Sequence, residues 1–204
     1  FFLMFKKKLF YSKTFLGWTA ILVGFVTIYF MAKIYLLPAQ IAWNSPVTII
    51  SYYAVMLLLG TVSIIIIFLM DLRFSTGRLS GYLADYVQLI KKSIPWLAIV
   101  ATITSLLNIA LGLYQIELLR GISQPSAQAS LELVLGLYKP LLIMRIGFAL
   151  VGIIWLNGIV SYFIKKQRDI INLLGPVSIS CTLILIGEIL ERFLFYATHV
   201  RIGI

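Results

Sequence analysis

Ile171–Val200 reads INLLGPVSIS CTLILIGEIL ERFLFYATHV, an apolar run that carries Glu188, Glu191 and Arg192 in its second half. A helix crosses the hydrocarbon layer of a bilayer with ~20 apolar residues, and this run is longer than that. An ionisable side chain at mid-membrane costs about 2.5–3.5 kcal/mol on insertion scales and marks a functional position. A plain anchor needs none of these three groups, so the run predicts a membrane helix with a task beyond anchoring.

Composition agrees. The chain has 204 residues, is 61% hydrophobic and only 12% charged, with mean hydropathy +1.03. Globular chains lie nearer ~45–50% apolar. The net charge of +10 does not indicate nucleic acid, because the basic residues flank apolar spans and form no basic stripe; Lys and Arg at span ends are a topology signal instead. Cys181 is the one cysteine and His199 the one histidine. A cysteine-held iron–sulfur cluster, a c-type haem and a bis-histidine haem within this chain are therefore excluded. No phosphate loop, dinucleotide turn, metal spacing or Ser/His/Asp set appears, so catalysis by this chain alone is not expected.

Five apolar runs are long enough to span: about 14–36, 46–70, 93–119, 138–164 and 171–198. They are continuous, without alternation, and too long for barrel strands of ~9–11 residues. The expected fold is thus an all-α, polytopic membrane helix bundle forming one domain. The chain opens Phe1-Phe2-Leu3-Met4-Phe5 before Lys6-Lys7-Lys8, which is not the basic-then-apolar order of a signal peptide; residue 1 is expected to be an internal position of a longer protein.

The connections alternate in charge. Lys6, Lys7, Lys8 and Lys13 precede the first span; Arg73, Arg78, Lys91 and Lys92 outweigh Asp71 and Asp85; Lys165, Lys166 and Arg168 outweigh Asp169. Residues 37–45 carry no charge, and Arg120 is offset by Glu117 and Glu132. By the positive-inside rule the basic loops are cytoplasmic, and the other loops and the C-terminus lie outside. Leu83, Tyr86, Leu89 and Ile90 suggest a short amphipathic surface helix before the third span, or equally a solvated loop. Gly121–Ser130 is expected to be irregular. Pro46, Pro95, Pro140 and Pro176 fall near span starts, where a missing N–H costs little.

This orientation places Glu188, Glu191, Arg192, Arg145 and Lys33 in the outer half, Glu188 ~15 Å below the outer end of its helix at ~1.5 Å per residue. Glu188 and Arg192 are four apart and can pair, and Arg145 can reach Glu188 if the last two helices are antiparallel neighbours. These ions could lock helices together, line a polar pocket or proton path, or dock a partner. Lys33 and Glu191 are expected to snorkel outward, and His199 to lie at the water boundary. Asn108, Gln115 and Asn157 fit interhelical hydrogen bonds. Trp43, Tyr35, Tyr114, Tyr138 and Tyr196 fit an outer aromatic belt, and Trp18, Trp96 and Tyr162 an inner one.

Two stretches carry a resemblance. One is Lys33-Ile34-Tyr35-Leu36-Leu37-Pro38-Ala39 with Trp43-Asn44-Ser45-Pro46-Val47-Thr48 and Leu57-Leu58-Leu59-Gly60; the other is Leu185-Ile186-Gly187-Glu188-Ile189-Leu190-Glu191-Arg192-Phe193-Leu194-Phe195-Tyr196 followed by His199. Both resemble the membrane anchor subunit of anaerobic dimethyl sulfoxide reductases, and Met144-Arg145-Ile146 resembles the arginine of that family's penultimate helix. Where such proteins often carry Gly before the later arginine, this chain has Glu191. The resemblance implies eight spanning helices, of which these are the last five, with Phe1–Lys8 the end of the third. It implies a non-catalytic subunit that oxidises menaquinol and passes electrons to an iron–sulfur subunit, which feeds a molybdopterin catalytic subunit. The resemblance implies that the quinol-binding residues lie mainly in the family's first three helices, outside these five spans; Glu188, Arg192 and Arg145 match its motifs in a supporting role and are quinol-site or proton-relay candidates by their depth, and Lys33, His199 and Arg201 are the partner-docking candidates. A polysulfide- or nitrite-reductase-type anchor and a secondary transporter fragment are the alternatives, although the paired repeats and broken helices of transporters are not visible in the sequence.

Overall fold

A computed structural model describes residues 2–38, 40–74, 83–166 and 169–198, with side chains from residue 12 onward except that of Leu83. Six α-helices follow in order: α1 (Phe2–Ile34), α2 (Pro46–Phe74), α3 (Leu83–Arg120), α4 (Pro125–Glu132), α5 (Lys139–Lys165) and α6 (Leu174–Ala197). A π-helical turn at Leu133–Leu137 joins α4 to α5, and a 3-10 turn at Ile170–Leu173 leads into α6. The fold is all-α, and among the described residues five helical segments are long and apolar enough to cross a membrane.

One periodicity builds the bundle. In α2 the positions Thr48, Ser51, Val55, Leu58, Val62, Ile65, Leu69 and Leu72 are all buried, a spacing alternating between three and four that keeps one narrow seam facing the neighbours. The seam of α3 runs through Ile90, Ile94, Ala98, Ala101, Ser105 and Asn108, and that of α6 through Val177, Cys181, Ile184, Glu188 and Glu191. At the end carrying the basic loops these seams mesh as an aliphatic core of Leu58, Ile65, Ile94, Leu156, Val177 and their neighbours. At the opposite end the same positions turn polar. Lipid tails are as apolar as leucine, so close van der Waals fit and hydrogen bonds, not exclusion from water, hold such helices together.

The tightest fit joins α5 to α6. A Cβ at Gly152 would stand 2.7 Å from Ile184 Cγ1 and 3.3 Å from Ser180 O, and one at Gly187 would stand 3.3 Å from Arg145 O. The Ser180 hydroxyl donates to Gly152 O at 2.6 Å across this seam. Asn157 of α5 donates to Thr102 Oγ1 of α3 at 2.7 Å, the interhelical bond expected of it. By contrast, α1 leans on α2 and leaves Phe15, Trp18, Leu22 and Phe30 more than 60% exposed.

Four expectations change. Phe2–Lys8 is not the end of a separate helix but the first turns of α1. No surface helix precedes the third span among the described residues: Tyr86, Leu89 and Ile90 belong to α3 itself, with Ile90 wholly buried and Leu89 55% exposed. Their spacing is the helix seam continued inward, and Pro95 consequently lies inside α3. Gly121–Ser130 is not irregular throughout, because Pro125 starts α4 at its first turn, where its fixed φ suits a helix. Trp43 is not a lipid-facing belt residue: it is 8% exposed and stacks on Phe195 with ring centroids 5.2 Å apart.

Candidate functional site

The polar end of the bundle holds a network contributed by four helices. Ser51 comes from α2, Asn108 from α3, Arg145 from α5, and Glu188 and Glu191 from α6; all five are buried. Each occupies a seam position, so helical periodicity alone turns it inward. Asn108 Nδ2 donates to Glu191 Oε2 at 2.6 Å and to Glu188 Oε2 at 2.9 Å, with Glu188 Oε1 at 3.1 Å. The Ser51 hydroxyl lies 3.1 Å from both Asn108 Oδ1 and Glu191 Oε1. Arg145 Nη2 stands 3.3 Å from Glu191 Oε1 and 3.3 Å from the Asn108 carbonyl oxygen.

Arginine reaches across because α3 presents no side chain where it passes. A Cβ at Gly112 would stand 2.6 Å from Arg145 Nη1 and 3.1 Å from Nη2. The guanidinium therefore lies against the α3 backbone at Gly112. Beside it opens a cavity of about 60 Å³ between α3, α5 and α6, lined on its polar side by Arg145, Glu191, Gln115 and Thr198. Gln115 Nε2 is bonded to the Ala42 carbonyl oxygen, which ties α3 to the loop before α2. One turn below Asn108 on the same face, the buried Ser105 hydroxyl has no hydrogen-bond partner among the described residues.

The pairings differ from those expected. Arg192 does not pair with Glu188; its guanidinium sits 4.0 Å from the centroid of the Tyr52 ring, on the helix face away from the seam. Arg145 bonds Glu191, not Glu188. Glu191 does not snorkel but is 8% exposed within the network. The signal for its burial was present in the sequence: Val177, Cys181, Ile184, Glu188 and Glu191 share one three–four spacing, and Arg192 stands off it. Lys33 is exposed and lies 5.8 Å from the Tyr29 ring centre, consistent with snorkelling. His199 and Arg201 lie outside the described residues. Asn108 proves to be the hub of the site, a rank that its expected role as an interhelical bond did not give it.

An aromatic cluster closes this end. Tyr35 packs against Trp43, Tyr52 and Phe195, and its hydroxyl lies 2.8 Å from that of Tyr196. Trp43 Nε1 donates to Phe195 O at 2.8 Å, pinning the loop onto α6. Chemically, the network sets two carboxylates around one amide nitrogen with one guanidinium in direct contact. Acceptors outnumber the cation that touches them, which is the composition needed to take up and hold a proton away from water.

No curated protein and no solved structure matches the chain. A family model does, over residues 1–198, and it is that of the DMSO reductase anchor subunit (DmsC). This multi-pass helix bundle, with its ionisable groups gathered at one end, belongs to the DMSO reductase anchor subunit family.

Proposed function

We propose that this chain is the quinol-linked anchor of a molybdopterin oxidoreductase, embedded in the inner (plasma) membrane with its C-terminus on the outer, periplasmic side. Menaquinol is its substrate. The two electrons of each quinol leave, one at a time, to the nearest cluster of an iron–sulfur subunit and go on to a molybdopterin catalytic subunit. The two protons must be accepted locally before the quinone departs. The observation that carries this reading is the Glu188–Asn108–Glu191–Arg145 network, a buried base pair at one leaflet. An anchor with only a structural task has no need of a second carboxylate there, since one already neutralises Arg145. Orientation follows from the basic loops at the other end.

In this reading Glu188 is the proton acceptor, Glu191 and Arg145 set its polarity, and Asn108 holds both acids in place. Lys33, at the same end and exposed, is a docking residue for the iron–sulfur subunit, together with His199 and Arg201. The test is Glu188→Gln in the assembled complex, which keeps shape and removes the base. Menaquinol oxidation per assembled complex should fall by at least tenfold, in the range typical of losing a general base. An unchanged rate would refute the relay role.

A further inference from the structure

We infer that the cavity beside Arg145 is an aqueous outlet through which protons taken up at the carboxylate pair leave toward the outer surface. This rests on the functional reading above and specifies what the cavity does within it.

Three observations carry it. The first is size. At about 60 Å³ the cavity exceeds the ~10–15 Å³ that one water needs by this kind of measure, so it has room for several waters. The second is lining. Arg145, Glu191, Gln115 and Thr198 supply its polar lining, among apolar neighbours such as Leu119, Leu142 and Leu194. Waters persist where they find two to four polar partners, and among the described residues Arg145 meets its protein acceptors through Nη2. The third is direction. Glu191 lies on the seam of α6 and Thr198 ends that helix, so the cavity leads from the network toward the end of the bundle. Carboxylates buried without such a route could accept protons only once.

Gly112 sets where Arg145 lies in the lining. Because its missing side chain leaves room for Nη1, Arg145 can lie beside the waters without blocking them. Gly112→Ala displaces the tip of a flexible side chain, a change the fold can absorb. Leu142, half-buried on the α5 wall, offers the opposite change: Leu142→Trp fills the cavity.

The experiment takes the whole complex in lipid nanodiscs. Hydroxyl radicals generated from water by a brief X-ray pulse oxidise side chains next to bound water, and mass spectrometry locates the oxidation. Ile116 and Leu142 on the cavity wall should be oxidised at least fivefold faster than Ile143 and Ile189, which face outward from the bundle and are 61% and 59% exposed. Leu142→Trp should lower the kcat for menaquinol several-fold, with complex quantified by its iron content, and leave KM within about twofold. Equal oxidation of the two sets, or none at the cavity, overturns the outlet whatever the kinetics. A raised KM with unchanged kcat also overturns it and makes the cavity part of the quinol site. A wild-type complex that oxidises no quinol overturns the functional reading and this inference together, whereas a dry cavity in an active complex overturns this inference alone.

Discussion

Arg145 of α5 and Glu191 of α6 stand 3.3 Å apart, with their side chains 8% and 10% exposed. The pair bridges the helices at the end where their seams turn polar. Burying two opposite charges gains little over a well-packed apolar pair, but removing one partner strands the other, at a cost of about 3–5 kcal/mol. Arg145→Ala should therefore lower the thermal midpoint of the detergent-solubilised protein sharply, and Glu191→Ala nearly as much. The double variant Arg145→Met with Glu191→Leu should recover most of the loss. If the single and double losses simply add, the pair is not coupled.

Asn108 offers a sharper contrast. Its amide nitrogen is shared by two carboxylates, and Asn108→Asp replaces that donor by a third acid in the same pocket. Accumulation of intact protein in the membrane should fall further for Asn108→Asp than for Asn108→Leu, since a buried group left without its partner costs more when it is charged. Equal accumulation of the two would show that the amide does not hold the acids.

Arg192 over the Tyr52 ring at 4.0 Å makes a prediction about faces, not charges. Tyr52→Phe keeps the ring and loses only the hydroxyl's hydrogen bonds to Tyr35 and Tyr196, so it should cost less than removing the ring. Tyr52→Leu removes it and should cost about 1–2 kcal/mol, the range of a partly desolvated cation–π contact. Thermal denaturation of the two variants side by side decides it.

The α5/α6 seam depends on small residues at defined places. Gly152→Val puts atoms where Ile184 and the Ser180 carbonyl already stand, and should separate the helices and lower the thermal midpoint. Gly158→Ala, on the same helix with nothing within 4 Å, should be neutral or slightly stabilising, because alanine is the better helix former. A similar loss from both would place the seam elsewhere.

Ser105 is the remaining test. Its hydroxyl is buried without a partner among the described residues, so Ser105→Ala should leave stability unchanged or raise it, as deleting an unsatisfied buried polar group does. A marked loss would mean that the hydroxyl has an undetected role in the network.

Much of this molecule is written in the order of its residues. Five apolar runs longer than a bilayer is thick, basic loops alternating with neutral ones, and acids and arginines gathered in one half all follow from hydropathy and charge, which act over whole segments and need no knowledge of neighbours. The inward turn of Glu191, expected to snorkel, was carried in its spacing with Glu188, Ile184 and Cys181. What the sequence alone could not decide is which base meets which acid. Four-residue spacing permits Glu188 to meet Arg192, but the azimuth of α6 gives Arg192 to Tyr52 and both acids to Asn108. That azimuth is set by contacts distant in sequence: Gly152 and Gly187 let α5 and α6 close together, and Gly112 lets Arg145 pass to Glu191. Pairing energies act over a few ångströms, so only the packed bundle could assign them.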